Sequence, residues 1–330
     1  MPQLEQSVLV QAVGGPEQLK LHPIELGQPQ PNEVRIRHHA IGVNYIDVYH
    51  RTGLYPLPLP FGIGMEGAGV VEAVGAEVAH LQLGDRVAYA SAPTGAYCTA
   101  RLLPAKCVVR LPQAIDFSQG AAVMLKGMTV QYLLRKTLPQ GGLLPGDFVL
   151  FHAAAGGVGL IACQWAAALG LQLIGTAGGP RKCALALENG AAYMIDYLSE
   201  DVVARVRQIT QGRGVKVVYD SVGRDMFERS LDCLKPFGLM VSFGNASGPV
   251  APVDLGLLSS KGSLHLTRPT LFAHLATRES TQAMADELFA LVLDGRLKLH
   301  IERQYALADA ASAHRDLEAR KTVGSLLLIP

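Results

Sequence analysis

The stretch FVLFHAAAGGVGLIACQWAAALG, residues 148–170, decides the fold. It opens with four apolar residues after a Pro-Gly-Asp turn at 145–147, a context that predicts a fully buried parallel strand. The run AAAGGVG follows, and an alanine-rich segment with apolar residues at helical spacing comes after it. When this run is aligned with the fingerprint G-x-G-x-x-G, the three glycine positions fall on Ala154, Gly156 and Gly159.

This strand, turn and helix indicate a dinucleotide site. Gly156 lets the backbone approach a pyrophosphate, Gly159 lets the helix pack closely on the strand, and the helix N-terminus offers N–H groups and partial positive charge. A single glycine motif is weak evidence, because any α/β protein can contain strand, turn and helix, and Ala154 departs from the pattern. The βα units that follow favour the cofactor interpretation.

Strands and helices alternate after residue 170, which predicts a doubly wound parallel sheet with ligands beyond its carboxyl ends. Strands are expected at 171–176, 192–196, 215–220, 238–244 and 263–266, and helices at 180–189, 200–210 and 225–234. The rest of the chain predicts a helix at 278–294, a strand at Leu297–Ile301, a helix at 307–319 and a strand at 324–329.

Residues 1 to about 125 are expected to form a small barrel-like β domain, because short strand candidates alternate with Gly, Pro and Asn. Within this part, 45–51 predicts a short helix that ends at Gly53, and 121–136 predicts a helix that leads toward the glycine turn. The elements after the sheet are expected to pack back on this first domain.

The composition sets limits on the class of protein. Of 330 residues, 49% are hydrophobic and 17% are charged, so the chain can bury a large core. The net charge is +1 without blocks of like charge, so we expect neither nucleic acid nor a membrane as the main partner. The start MPQLEQSVLV does not resemble a signal peptide, and the five scattered cysteines suit reduced thiols, so we expect a cytoplasmic protein.

The segment LQLIGTAGGPRK, residues 171–182, points to NADPH as the cofactor. A site for NAD usually carries an acid here that bonds the ribose 2′-hydroxyl, and this segment contains none. Gly178 leaves room, and Arg181 and Lys182 offer positive charge for a 2′-phosphate. The alternative is that both cations merely begin a helix, which the helix dipole disfavours.

Two further positions lie at or just past the ends of predicted strands and suit an adenine or a nicotinamide. They are Tyr197 and the run Phe243-Gly244-Asn245, although core packing explains Phe243 equally well.

Several segments resemble bacterial NADPH:quinone oxidoreductases, which belong to the zeta-crystallin branch of the medium-chain dehydrogenase/reductase superfamily. The similarity covers essentially the whole chain. Besides the AAAGGVG turn, it is carried by GVNYIDVYHRTGLYP (42–56), LKGMTVQYLLRKT (125–137), YDSVGRD (219–225), VSFGN (241–245) and KGSLHLTRP (261–269).

The resemblance implies an α/β protein with a GroES-like, β-rich catalytic domain and a Rossmann domain. The first is expected to comprise residues 1–125 with 268–330, and the second residues 126–267. A homodimer is also implied, together with NADPH-dependent reduction of quinones in a cleft between the domains.

The resemblance also assigns site residues. Those implied at the reaction are Asn44, Asp47, Tyr49, Tyr55, Lys126 and Arg268. Those expected to bind the cofactor are Tyr45, Thr129, Tyr132, Ala155, Gly156, Gly157, Val158, Gly159, Gly178, Arg181, Lys182, Tyr197, Val222, Phe243, Gly244, Asn245, Ser247, Thr270 and Arg320.

We expect no metal. Zinc-dependent relatives carry Cys and His where this chain has Asn44 and Met65, neither of which suits zinc, and no four closely spaced cysteines are present. Glu66, which follows Met65, is then interpreted as structural.

The expected reaction is hydride transfer to a quinone, whose anion Arg268, Lys126 or a tyrosine would stabilise. Tyr49 and Tyr55 are either proton donors or walls of the pocket, and Asp47 either orients neighbours or caps a helix. Two alternatives remain open: an NADPH-dependent reductase of enone double bonds, and an RNA-binding or structural, crystallin-like protein.

Overall fold

The computed structural model describes residues 4–138 and 141–330, which divide into two compact units. The first unit contains the residues up to Met128, together with His274–Asp294 and Leu299–Pro330. The second contains Thr129–Ala273 and Gly295–Lys298. The first unit is therefore built from both ends of the chain.

Among its described residues, the first unit holds ten strands and three helices, and a fourth helix begins in it. The strands are β1 (Glu5–Val10), β2 (Leu19–Ile24), β3 (Glu33–Val43), β4 (Phe61–Gly62), β5 (Glu66–Val74), β6 (Arg86–Ala90), β7 (Ala100–Pro104), β8 (Val108–Arg110), β15 (Ile301–Ala306) and β16 (Ser325–Ile329). The helices are α1 (Tyr45–Thr52), α9 (Arg278–Leu293) and α10 (Ala310–Glu318), and the one that begins here is α2 (Phe117–Lys136).

The second unit contains the six strands of the predicted parallel sheet. They are β9 (Phe148–Phe151), β10 (Gln172–Ala177), β11 (Tyr193–Asp196), β12 (Val215–Asp220), β13 (Leu234–Ser242) and β14 (His265–Thr267). The helices are α3 (Gly157–Ala168), α4 (Pro180–Glu188), α5 (Val202–Ile209), α6 (Phe227–Asp232), α7 (Leu255–Ser260) and α8 (Leu271–His274).

Strand β3 is the centre of the first unit. The larger sheet has the order β15-β16-β3-β5-β6-β8, with β7 also paired to β3, and a smaller sheet has the order β2-β1-β4. Along β3, Val34 and Ile36 are fully buried, whereas Arg35 and Arg37 point the other way and form ion pairs with Glu5. This alternation is typical of a strand with one face on the core.

The sheet of the second unit is entirely parallel and has the order β11-β10-β9-β12-β13-β14. Numbered along the chain, this order is 3-2-1-4-5-6, the arrangement of a Rossmann fold. The chain reverses direction across the sheet between β9 and β12, so the loops after these strands border the crevice where ligands bind. The predicted fold class is confirmed.

The predicted strand at Leu297–Ile301 is wrong. The strand instead begins at Ile301, as β15, which pairs in parallel with β16. The preceding residues belong to the second unit, where the side chain of Gln164 bonds both backbone groups of Lys298, at 3.0 and 2.7 Å. Because a side chain satisfies this backbone, no neighbouring strand is needed there.

The length and the charge of the helices bear on whether any of them could cross a membrane. The longest described helix, α2, has 20 residues and includes Lys126, Arg135 and Lys136. In the part of the chain that the structure describes, no helix has both the length and the apolar character that a membrane crossing requires.

Candidate active site

The turn between β9 and α3 is closely packed at Gly159 and open at Gly156. A Cβ on Gly159 would lie 2.4 Å from the carbonyl oxygen of Ala153 and 2.5 Å from that of Ala154, so only glycine lets α3 start this close to the strand. Gly156 caps the helix, and a Cβ there would meet only the Ala153 oxygen, at 3.2 Å. Of the other predicted residues, Ala155 lies in this turn, and Gly157 and Val158 are the first residues of α3.

The order of the sheet places the loops after β12 and β13 on the side of this turn, and close contacts join these two loops. Asp220 is fully buried, and its Oδ1 accepts hydrogen bonds from the N–H groups of Val222 and Gly223, at 2.6 and 3.0 Å. A Cβ on Gly244 would lie 2.5 Å from the carbonyl oxygen of Ser221. These contacts bring together the predicted residues Val222, Gly244, Asn245 and Ser247.

Arg268 fixes the loop after β13 from the end of β14. Its Nη1 donates to the hydroxyl of Ser242, at 2.9 Å, and to the carbonyl of Gly244, at 3.0 Å. Burial raises the pKa of Tyr132, and the nearby charge of Arg268 opposes that rise. Of the other predicted cofactor residues in this unit, the ring of Phe243 lies 5.7 Å from that of Phe151, Thr129 is buried and Thr270 is exposed.

A second group of predicted residues lies at the ends of β10 and β11. A Cβ on Gly178 would lie 2.7 Å from the hydroxyl of Tyr197, so glycine here keeps room beside that ring. Lys182 is half-buried and Arg181 is exposed, both at the start of α4.

Asp196, at the end of β11, was missed by the sequence analysis. Its Oδ1 accepts from the backbone N–H groups of Gly179, at 2.8 Å, and Leu198, at 3.1 Å. The expected place for an acid lies one strand earlier, so no sequence signal pointed to Asp196. Its carboxylate shapes the loop before α4.

His152 has a structural role at the end of β9. It is fully buried, and its ring nitrogens lie 3.0 Å from the Thr176 hydroxyl and 2.9 Å from the Ser230 hydroxyl. Burial lowers its pKa, so the ring stays neutral and holds β9, β10 and α6 together.

In the first unit, Glu66 joins two of the predicted catalytic residues in a buried cluster. Its Oε2 accepts from the amide of Asn44, at 2.8 Å, and from the ammonium of Lys126, at 3.0 Å. Its Oε1 accepts from the backbone N–H of Leu125, at 2.7 Å. Glu66 is 0% and Lys126 4% exposed, so this ion pair is shielded from water.

Asp47 lies in the first turn of α1 and caps it. Its Oδ2 accepts from the backbone N–H of Asn44, at 2.9 Å, and from the hydroxyl of Tyr97, at 2.9 Å. Burial raises the pKa of Asp47 to about 7, against the opposing effect of these hydrogen bonds and of Lys126. The capping role proposed for Asp47 is present in the structure.

The three predicted tyrosines of the first unit form one aromatic group. The ring centroids of Tyr45 and Tyr49 are 5.5 Å apart, and those of Tyr49 and Tyr55 are 5.1 Å apart. Burial raises the pKa of Tyr45, and the charge of Arg320 opposes that rise. The exposed Arg320 follows α10.

The possible metal ligands of the chain are dispersed. Among residues 4–138 and 141–330, no three or more His, Cys, Asp or Glu side chains are grouped so as to hold a metal ion. Met65 is buried, and the ammonium of Lys126 neutralises Glu66 where both lie out of water.

Two protein families match this chain. Residues 30–135 match the family described as alcohol dehydrogenase GroES-like domain. Residues 157–290 match the family described as zinc-binding dehydrogenase.

Individual relatives match over nearly their full length. A quinone oxidoreductase of Pseudomonas aeruginosa is 57% identical over 97% of this chain and 98% of its own. A 2-haloacrylate reductase of a Burkholderia species is 41% identical, over 98% of each chain. The crystal structure of Escherichia coli quinone oxidoreductase complexed with NADPH is 51% identical, with a TM-score of 0.96 over 98% of this chain and 100% of that one.

Proposed function

Because this chain belongs to the quinone oxidoreductases of the medium-chain dehydrogenase/reductase superfamily, we propose that it reduces quinones with NADPH. The observation that carries the proposal is the full-length match to proteins named quinone oxidoreductases. The Rossmann unit supports it, since its glycine turn and its topology suit a dinucleotide.

The residues of the second unit fit NADPH. The turn at Gly156 leaves space for a pyrophosphate at the N-terminus of α3, and Gly178 leaves space beside Tyr197. Arg181 and Lys182 offer the charge that a 2′-phosphate needs, while Asp196 is engaged by backbone N–H groups. When bound, NADPH supplies the hydride, and the protein supplies orientation and electrostatics.

We propose that Lys126 stabilises the anion that a quinone becomes on accepting hydride. A cation in a site shielded from water acts strongly on developing negative charge. Glu66 and Asn44 hold the Lys126 ammonium and the beginning of α1 in fixed positions. Tyr49 and Tyr55 are proposed to line the substrate site, and Arg268 to hold the loop at Gly244.

The reaction is proposed to need no metal. The support comes from the donor set: Asn44, Met65 and Lys126 stand around Glu66, and neither an amide, a thioether nor an ammonium makes a zinc site.

We predict that Lys182→Ala weakens NADPH binding by about tenfold, because a charge-assisted contact to the 2′-phosphate is lost. The affinity for NADH, which has no such phosphate, should stay the same. Fluorescence titrations with both cofactors check this, and Arg205→Ala, which removes a cation of α5 that pairs with Glu200, is the control. Equal losses for NADH and NADPH would contradict the assignment.

We also propose a homodimer of two 35.1 kDa chains. Strand β14 pairs with β13 on one side, and no other described strand pairs with it. Its Leu266 is 37% exposed, and such an edge can pair with a second copy. Light scattering should give twice the chain mass, and Leu266→Lys should lower it toward one chain. A single-chain mass at all concentrations would contradict the dimer.

The domain boundaries at 125 and 268 and a cytoplasmic location remain proposals. The two compact units support the first, since one combines both chain ends. The five free thiols support the second, because a reducing compartment keeps cysteines unpaired.

Double-bond reduction is the second candidate, because a relative at 41% identity is named a 2-haloacrylate reductase. Steady-state NADPH oxidation should be measured with 1,4-benzoquinone, 2-chloroacrylate and an alkenal. The proposal expects the highest kcat/KM with the quinone. A higher value with either alkene would replace quinone reduction by double-bond reduction.

A further inference from the structure

Asp47 is the end of a chain of buried hydrogen bonds that no sequence pattern suggested. The residue is 0% exposed, and both hydrogen bonds that it accepts are made to Oδ2. The other oxygen, Oδ1, is buried and has no hydrogen-bond partner among the residues that the structure describes. The two oxygens of one carboxyl group are therefore in different environments.

The chain of hydrogen bonds continues from Tyr97 to helix α10, near the C-terminus. The Tyr97 hydroxyl lies 3.0 Å from Nε2 of His314, and Nδ1 of His314 lies 3.4 Å from Nη1 of Arg51. Arg51, which is 1% exposed, donates twice to Glu318, at 2.9 and 2.7 Å. Helix α1 is thus tied to α10 near both of its ends.

Arg51 determines which group donates and which accepts at each step of this chain of hydrogen bonds. Its guanidinium always donates, so Nδ1 of His314 must accept, and the ring proton must be on Nε2. His314 then donates to the oxygen of Tyr97, whose own proton goes to Oδ2 of Asp47. Burial lowers the pKa of His314 to about 3, so the ring keeps a single proton at neutral pH.

We propose that Tyr97 and His314 are positioning residues for the reduction. Together they direct a hydrogen bond to Oδ2 of Asp47, so that Oδ1 is the atom that takes up a proton. Their second effect is to hold α1, which carries Tyr45 and Tyr49, against α10.

The charge state of Asp47 decides the net charge of the buried cluster. The groups that face it are Asn44 and Tyr97 by contact, and Lys126, Glu66, Arg51 and His314 through the cluster. Arg51 is neutralised by Glu318 and His314 is neutral, so one ammonium, on Lys126, faces two carboxyl groups. The cluster is neutral when Asp47 is protonated and carries one negative charge when it is ionised.

This charge change has a consequence for activity that rests on the proposed function. An extra buried negative charge disfavours the anion formed from a quinone. We expect kcat/KM to fall above about pH 7, where Asp47 loses its proton. Asp47→Asn should lack this falling limb, because an amide does not titrate.

The first test measures stability and does not depend on the reaction. A carboxyl group whose folded pKa lies above its unfolded value of 3.8 binds more protons when folded, so the stability falls as the pH rises from about 4 to about 7. The melting temperature of wild type should therefore drop relative to Asp47→Asn between pH 5 and pH 8. A constant difference over this range would overturn the titration of Asp47.

The second test moves the falling limb of the pH profile. Tyr97→Phe removes the donor to the ionised carboxylate, and His314→Leu removes the hydrogen bond that strengthens the Tyr97 hydroxyl as a donor. The midpoint should therefore rise in both variants, by about one pH unit. His314→Gln places an amide N–H near the position of Nε2 and should restore the wild-type midpoint.

His38 provides the matched control. It is another buried histidine of the first unit, and it forms hydrogen bonds with Tyr89 and with the carbonyl of Cys98. It does not belong to the chain of hydrogen bonds that ends at Asp47. His38→Leu should lower stability without moving the midpoint. If His314→Leu and His314→Gln give the same midpoint as His38→Leu, the directing role of His314 is wrong. If no quinone is reduced at all, the proposed function fails, and the stability test still decides the titration.

Discussion

Gly156→Val is expected to weaken NADPH binding by about a hundredfold or more while the protein stays folded. A branched side chain here occupies the space at the N-terminus of α3 that the pyrophosphate needs, and a steric conflict of roughly 3 kcal/mol corresponds to that loss. The fold should tolerate the change, because a Cβ at this position meets only the Ala153 oxygen, at 3.2 Å, and the backbone is extended. Fluorescence titration gives the affinity, and thermal melting checks the fold.

Gly159→Ala is the matched comparison, three residues further on. Its Cβ would collide with the backbone of Ala153 and Ala154, so it should lower the melting temperature as well as the affinity. A Gly156→Val protein that binds NADPH like wild type would show that the cofactor does not lie at this turn.

Lys126→Met is expected to destabilise the protein by about 3–5 kcal/mol, because it leaves the buried carboxylate of Glu66 without its counter-charge. Urea unfolding of the apoprotein measures this loss directly. The activity of the remaining folded protein should fall by about a hundredfold, as when one group that stabilises a developing anion is removed.

The double variant Lys126→Met with Glu66→Gln separates the two effects. With both charges removed, stability should return to within about 1–2 kcal/mol of wild type. The activity should stay low, since no ammonium is present to stabilise the anion. A stable double variant with wild-type activity would exclude Lys126 from the reaction and leave it a purely structural role.

The second unit could be predicted closely because its signals are local. Each strand of the sheet is a short apolar run with a helix beside it in sequence, and the glycine turn lies within seven consecutive residues, AAAGGVG. A strand was expected at Leu297–Ile301 because the apolar residues there are typical of a strand, but the strand begins only at Ile301. The backbone of Lys298 instead exchanges two hydrogen bonds with the side chain of Gln164, 134 residues away.

The polar networks could not be predicted, because their members are far apart in sequence. Tyr97 is 50 residues from Asp47 and 217 residues from His314, and neither Tyr97 nor His314 belongs to a quoted motif. Glu66 was interpreted as structural, and its pairing with Lys126, 60 residues further on, is visible only in the folded structure. Asp196 was overlooked for a different reason: it lies at the end of the strand after the one where an acid is expected.

The most direct measurement of the central claim is a single turnover without metal. Protein dialysed against EDTA, and shown by metal analysis to hold no zinc, is loaded with one equivalent of NADPH and mixed with 1,4-benzoquinone. We predict that one nicotinamide per chain is oxidised in one rapid phase, and that the Gly156→Val protein loses this phase. Oxidation no faster than in buffer, or only after zinc is added back, would contradict a metal-independent NADPH:quinone reductase.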